Sequence, residues 1–411
     1  MVILMKTAHK YRAYPSKEEL EILNRQMFLS KELYNLLLEK SKEYYKNTKK
    51  TLTQYRMNVW LTQIKKESPE FNEIYSQALQ NVSKRISDAY KSFFRRCKEK
   101  KLGKKIQAGF PRHKKFVSSL TYPQSGFKIE RKRVELSKIG RINFVNHRDI
   151  EDKIKTCSIK KTKSDEWYIT FSVEKEDKPF VSNGKEKIGL DLGLTDYATL
   201  SNGQKIENPR ILNKHIKRLK RKQRKISSKV KGSQNRKKAV KRFARYSEHI
   251  SRIREDSLHK LSYVLVHSYS FIAHENLQIQ NMQKNHRYAR SIGDASWGTL
   301  ISFAHYKAGS AGCETVGVNP RDSTQECSRC HNIKKGSEKL TLTDRLYHCN
   351  NCGLTMGRDE NSGIVIKKRG LDKSIPTTSG QGESHAFGDI VRPQLQEADV
   401  GELGTIRGVS R

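Results

Sequence analysis

Ile188-Gly189-Leu190-Asp191-Leu192-Gly193-Leu194 is an apolar run with one carboxylate at its centre. Short and glycine-bounded, it reads as a buried strand, and residues 187–200 read as two strands joined near Thr195-Asp196. Alternate strand residues share a face, so Gly189, Asp191 and Gly193 point together. The glycines are expected to leave room for a metal and a phosphate beside the acid. A carboxylate in such a strand is costly unless a cation compensates it. Glu275 closes a second apolar run, Phe271-Ile272-Ala273-His274-Glu275, and Asp359 stands in Gly357-Arg358-Asp359-Glu360-Asn361. Three carboxylates far apart in the chain form the donor set of a hard, oxygen-ligated metal site. Two metals bridged by such groups can activate a water and stabilise the leaving oxygen of a phosphodiester. Each acid also has a plain structural reading: a turn or edge strand for Asp191, a strand-end charge for Glu275, a helix N-cap for Asp359. Asp196 reads as a turn residue. Arg358 is expected either near a phosphate or exposed.

Between the last two acids lie Cys327-Ser328-Arg329-Cys330 and Cys349-Asn350-Asn351-Cys352. The pattern C-x2-C-x18-C-x2-C falls in the zinc-ribbon range. Four thiolates around one tetrahedral Zn2+ make a closed, structural site. His331 and His348 adjoin the cysteines, but the four thiolates already complete the shell, so both are expected either to back the ligands or to face solvent. Cys97, Cys157 and Cys313 read as ordinary thiols. Paired C-x-x-C cysteines in a chain with an odd total favour a reducing cytosol over a disulfide framework.

The formal net charge of +39 favours a polyanionic partner, nucleic acid above all. No apolar run approaches the about 18 residues of a membrane span, and the start lacks a signal-peptide pattern. Residues 1–14 read as a strand. Ser16 and Glu19 form a capping box, and Leu20, Leu23, Met27, Tyr34 and Leu37 follow at helical spacing. Further helices are expected over about 54–67 and 73–100. Short alternating runs then predict a small barrel or sheet, with a hairpin over 154–160 and 166–173, completed by the N-terminal strand. Residues 208–268 read as mostly helical. Within them 214–245 holds sixteen Lys or Arg and no acid, a run that reads as a solvated helix face, a disordered arm or, in the favoured reading, a pair of basic helices lying along a nucleic-acid backbone. A strand at 270–277, a polar loop from Gln280 to Arg290, a helix at 294–311 and a strand at 313–318 follow. After the cysteines comes a helix at 360–369. Residues 371–411 are rich in Gly, Ser, Pro and Glu, and read as a disordered tail.

In order along the chain, several phrases resemble TnpB, the RNA-guided nuclease family of insertion sequences. They are Gly189-Leu190-Asp191-Leu192-Gly193-Leu194-Thr195-Asp196, His274-Glu275-Asn276-Leu277 ending at Met282, and Asp294-Ala295-Ser296-Trp297-Gly298. The two C-x-x-C phrases and Arg358-Asp359-Glu360-Asn361 continue the series, with looser matches earlier at Tyr11-Arg12-Ala13-Tyr14-Pro15, Ala78-Leu79-Gln80-Asn81 and Gly109-Phe110-Pro111-Arg112. The resemblance spans about residues 1–370. It implies an α+β, multidomain fold. A β-barrel wedge domain (1–14 and 106–180) is interrupted by a helical recognition domain (15–105). An RNase H-like (RuvC) domain (184–321 and 358–370) follows, with an inserted zinc ribbon (322–357).

The resemblance further implies a guide RNA and double-stranded target DNA as partners, one monomer per guide, and a prokaryotic, cytoplasmic and nucleoid-associated setting. It implies cutting beside a short target-adjacent motif, with Mg2+ (or Mn2+) held by Asp191, Glu275 and Asp359. Gln80 and Thr121 fall where the family contacts that motif. Lys220, Arg221, Arg224 and Arg358 are further candidate nucleic-acid contacts. Ser362, Gly363 and Val365 depart from the family's small residues after the last acid, as do Gly357 and His331 at their positions. Gly363 is expected to weaken its helix by about 1 kcal/mol relative to alanine. Two alternatives stand beside the nuclease: a guide-directed binding regulator that no longer cuts, and a strand-joining transposase.

Overall fold

The computed structural model describes residues 4–103, 106–176, 180–341 and 343–374. Two compact units divide the chain, Met1–Asp177 and Lys178–Arg411.

The first unit opens with β1 (Leu4–Tyr14), followed by α1 (Lys17–Thr48), α2 (Gln54–Glu67) and α3 (Ser76–Lys101). α1 begins where its cap dictates: the Ser16 hydroxyl accepts from the Glu19 N–H, and the Glu19 carboxylate accepts from the Ser16 N–H. Its buried stripe, Leu23, Met27, Tyr34 and Leu37, shares a core with Leu79, Val82 and Ile86 of α3. The remaining strands are β2 (Ser119–Pro123), β3 (Phe127–Glu130), β4 (Arg133–Leu136), β5 (Gly140–Phe144), β6 (Lys153–Lys161) and β7 (Trp167–Glu176).

The sheet order is β2-β6-β7-β1-β5-β4-β3. β1 sits inside the sheet, antiparallel to both β7 and β5, so the N-terminal strand does complete it. β2 and β3 are the two edges, yet only Gln124–Gly126 separate them in sequence. The sheet must therefore curl until its edges approach, a near-barrel. Tyr11, Phe144 and Phe171 fill the interior with ring centroids 5.4 to 5.8 Å apart.

The second unit contains β8 (Lys187–Leu192), β9 (Asp196–Leu200), β10 (Lys205–Glu207), α4 (Ile211–Ser227), α5 (Gln234–Ser268) and β11 (Phe271–Glu275). α6 (Ile279–Met282), α7 (Ala289–Ala295), α8 (Trp297–Ala311), β12 (Glu314–Val318), β13 (Leu346–His348), β14 (Thr355–Gly357) and α9 (Arg358–Ser374) complete it. The five-stranded sheet runs β10-β9-β8-β11-β12. β8, β9 and β10 form an antiparallel meander, and β11 is parallel to both β8 and β12. β11 is buried at every residue, as a central strand covered on both faces should be. Ile188, Leu190, Leu192 and Ile272 share a core with Leu258 and Leu265 of α5 and Leu300 of α8. The alternate residues Phe271 and Ala273 pack instead with Ile366 of α9.

Two expectations need correction. The stretch read as a polar loop from Gln280 to Arg290 is partly helical, because Ile279 and Met282 pack on the core and fold α6. The last helix starts at Arg358 and runs to Ser374, so it includes residues 371–374 of the expected tail; residues 375–411 lie outside the described residues. Gly363 also serves as a close contact: a Cβ there would sit 3.1 Å from the Ser201 backbone.

Candidate functional site

Strand register and one helix bring the three acids together. The β8–β11 ladder pairs Ala273 with Gly189 and His274 with Leu190. The next positions along it are Glu275 and Asp191, neighbours at the ends of parallel strands. Both lie on the face that α9 covers, and Asp359 stands in the first turn of α9, where the helix dipole favours an acid.

The helix can approach this closely because glycine allows it. A Cβ at Gly189 would lie 2.0 Å from the Gly363 carbonyl oxygen and 2.7 Å from the Lys367 N–H nitrogen. The room beside Asp191 at Gly189 is thus filled by helix backbone. At Gly193 it is filled by the Asp196 carbonyl, 2.8 Å from the position a Cβ would take. The expectation that these glycines admit a phosphate is overturned: Gly189 admits the helix that carries Asp359, and Gly193 the turn of its own chain.

Electrostatically the acids belong to one site. Asp191 is half-buried by area but crowded by protein, and its proton affinity is raised well above the carboxylate range. Burial is the first cause, and the charges of Glu275 and Asp359 follow; the nearby Ser362 hydroxyl and Arg358 oppose the shift. The Ser362 oxygen has no partner in hydrogen-bond geometry, so it acts on Asp191 as a nearby dipole rather than through a made bond. Glu275 is also raised, by burial, against the Ser323 hydroxyl and Arg369. Ser323 Oγ donates to Glu275 Oε1 at 2.5 Å. Arg358 donates through Nε and Nη2 to Asp359 Oδ1, at 3.0 and 2.9 Å, and through Nη1 to the Thr341 carbonyl. Arg358 is therefore neither exposed nor free for a phosphate.

A buried carboxylate raised in part by the charges of two others belongs to a donor set a hard divalent cation would satisfy, and Mg2+ or Mn2+ fits it. Each acid now also holds a protein partner or lies against a neighbour. Among the described residues only the four cysteines gather all their ligand atoms within 4.8 Å.

Those cysteines fit a structural zinc. Cys327 and Cys352 Sγ lie 3.6 Å apart, as do those of Cys330 and Cys349. A Zn–S bond of about 2.3 Å in a tetrahedron requires sulfurs about 3.8 Å apart. The Asn351 amide first, then the backbone at Asn332, lowers the Cys330 thiol toward the thiolate a metal binds, while the neighbouring Cys352 thiol is raised. His331 and His348 are exposed, turned to Glu326 and Thr355 respectively.

Residues that sequence reasoning passed over join the two clusters. Asn361, fully buried on α9, accepts from the Ser328 N–H at 2.9 Å and donates to the Glu326 carbonyl at 2.7 Å. Arg369 donates to Glu326 Oε2, and Lys368 donates to the Ser328 carbonyl. The turn segment entering the cysteine module is thus clamped to the helix that bears Asp359, while its Ser323 holds Glu275. Asn361 could have been singled out from the phrase that contains Asp359; nothing in the sequence marks Ser323 or Arg369.

The basic helices form as expected, as α4 and α5, with Lys220, Arg221 and Arg224 exposed on α4. Their anchor lies in a phrase that the family resemblance marks without giving it this role. Asp294 accepts the Leu212 N–H at 2.8 Å and pairs with Arg254 of α5 at 2.9 Å, capping one helix and tying down the other. In the first unit Gln80 is exposed on α3, and Thr121 on β2 receives Arg85 Nη2 at 3.2 Å. The Arg85 guanidinium also holds Asn81 and the Ser119 carbonyl. Gln80 and Thr121 belong to the first unit and the three acids to the second.

The family profile OrfB_IS605, described as a probable transposase, matches residues 170–286. A Cas12f1-like TNB domain profile matches 297–366, and a helix-turn-helix profile matches 1–50. A Streptomyces pristinaespiralis protein, provisionally named an RNA-guided DNA endonuclease, is 30% identical over 98% of this chain and 96% of its own. Its Escherichia coli counterpart InsQ, named in the same provisional way, is 29% identical over 82% and 86%. The fold is also that of a Cas12f1 chain solved with its guide RNA and target DNA: TM-score 0.54 at 12% identity, covering 89% of this chain and 99% of that one. Among the described residues no helix is long and apolar enough to cross a membrane.

Proposed function

The chain belongs to the TnpB family, and from that membership, joined to the acids that meet under α9, we infer that it is an RNA-guided endonuclease. It cuts double-stranded DNA by metal-dependent phosphodiester hydrolysis, beside a short target-adjacent motif. The carrying observation is that sheet register and the Gly189–Gly363 contact bring Asp191, Glu275 and Asp359, three acids remote in sequence, to one end of the five-stranded sheet. Asp191, Glu275 and Asp359 would hold Mg2+ or Mn2+, which supplies Lewis acidity and a water acidified toward neutrality. The chain's own part is to place these oxygens. Register sets Asp191 beside Glu275, Ser323 orients Glu275, and Gly189 lets α9 deliver Asp359.

The partners are a guide RNA and its DNA target, with sequence read by base pairing. The exposed cations of α4 and α5 track phosphates, and Gln80 and Thr121 read the motif. In this reading the near-barrel is the wedge domain, α1–α3 the recognition domain and the five-stranded sheet the RuvC-like domain, at the boundaries given above. The setting is the prokaryotic cytoplasm. A second reading, guide-directed binding without cutting, draws on one observation: Arg358 takes Oδ1 of Asp359 with two N–H groups.

The test is a plasmid carrying a site matched to the co-purified RNA, incubated with protein and Mg2+ beside a binding assay. Linear product that vanishes with Asp191→Ala while binding persists is the expected result. Equal cutting by Asp191→Ala overturns the site; binding without cutting in Mg2+ or Mn2+ selects the regulator.

A further inference from the structure

Away from both clusters, the first unit carries a set of rings that its core does not enclose. Tyr90, Phe93 and Phe94 near the end of α3 gather with Phe110 of the following segment, ring centroids 5.2 to 6.4 Å apart. Tyr90 is buried, but Phe94 and Phe110 remain 45% and 44% exposed. The group is held firmly: Arg96 Nη2 donates to the Gly109 carbonyl at 3.0 Å, pinning the Phe110 segment to α3. Leaving two large rings half in water, on a support this well tied, is not what packing alone requires.

The surrounding charge is one-sided. From Lys91 to Lys101 the helix holds six Lys or Arg and one acid, Glu99, and residues 106–116 hold no acid at all. Helical spacing sets Lys91, Phe94, Lys98 and Lys101 along one stripe, and all four are exposed. An apolar docking peptide would gain nothing from such cations. A strand of unpaired nucleotides would gain twice, its bases stacking on the rings and its phosphates meeting the lysines.

We propose that Phe94 and Phe110 form a stacking platform for unpaired nucleobases, with the Lys91–Lys98–Lys101 stripe guiding the backbone. This rests on the reading of the chain as a handler of RNA and DNA strands, and adds a place where single-stranded nucleotides are gripped regardless of sequence. The unpaired bases belong either to the guide RNA or to a displaced DNA strand, and both offer the same π-faces.

The experiment measures equilibrium anisotropy of the full-length protein with fluorescent 20-nucleotide oligouridylate and oligothymidylate at several salt concentrations. Phe94→Leu keeps an apolar side chain on the helix and removes the ring. It should weaken binding about ten-fold, since one stacked base is worth on the order of 1–3 kcal/mol, and leave the salt slope unchanged. Phe94→Trp should bind at least as tightly as wild type, and the indole emission it adds should be quenched on saturation. Loss confined to oligouridylate assigns the platform to the guide; loss confined to oligothymidylate assigns it to the displaced strand. Wild-type affinity of Phe94→Leu for both oligomers, or unquenched added emission from the Phe94→Trp protein at saturation, overturns the platform. Binding is read without cleavage, so a protein that stacks bases but never cuts DNA separates failure of the nuclease reading from failure of this one.

Discussion

The four cysteines sit in one short stretch, and their own chain closes them: paired sulfurs 3.6 Å apart, with Tyr347 and Leu340 packed around. Asp191, Glu275 and Asp359 come from two strands and a helix, and only the sheet register and the Gly189–Gly363 contact gather them. The cysteine cluster can be completed by one ion and then has no further valence to offer. The acid cluster concentrates negative charge where burial already penalises it. One site should stabilise the fold and the other should cost it stability, so disturbing them should move melting temperature in opposite directions.

The largest effect is expected at the cysteines. Cys349→Ser, or dialysis against a zinc chelator, should unfold the module, because metal binding in such small modules is folding free energy on the order of 10–16 kcal/mol. Metal analysis of native protein should find about one zinc per chain. Cleavage should fall as well, since the turn segment leading into the module holds Glu275 through Ser323 and α9 through Asn361. Wild-type melting of Cys349→Ser would break the comparison at its closed end.

Asn361→Ala probes the join between the two. It leaves the Ser328 N–H and Glu326 carbonyl unpaired in a fully buried place. The cost should be about 1–3 kcal/mol, seen as a lower melting temperature, with cleavage falling further than stability because α9 loosens. A cleavage loss no larger than the stability loss explains would reduce Asn361 to a packing residue.

Legibility in the sequence follows the same division. The capping box, the stripe of α1, the β6–β7 hairpin with its turn at Asp165, and the four cysteines are coded by neighbours in the chain, and each stands where its pattern puts it. The acids are legible as residues out of place in apolar runs, but not their partners. Ser323, Arg369 and the Asp294 cap on α4 are tertiary pairings with no periodicity to announce them. The glycines near Asp191 announce closeness of approach, but not which guest approaches. Helix α9 begins two residues earlier than its pattern promises, because Asp359 and Glu360 suit a first turn that the preceding Gly357 conceals.

The smallest shift, and the one of opposite sign, belongs to Asp191. Its folded-state proton affinity is raised, so its charge is no burden below the ordinary carboxylate range and becomes one as pH climbs through and above it. Asp191→Asn should therefore melt higher than wild type near pH 7 in the absence of divalent cation, by a few degrees at about 2–4 °C per kcal/mol for a unit of this size. At acid pH, where the wild-type group is protonated, the gap should close. A gap that persists unchanged at acid pH would trace the gain to something other than charge.

The claim that Asp191, Glu275 and Asp359 are one cation site is reached most directly by titrating Mn2+ into the protein and following free Mn2+ by electron paramagnetic resonance. The cysteine module is kept loaded with zinc, so that it cannot compete. Wild-type protein should take up Mn2+, and Asp191→Asn, although the more stable fold, should lose that uptake. Equal uptake by the two proteins would contradict the site.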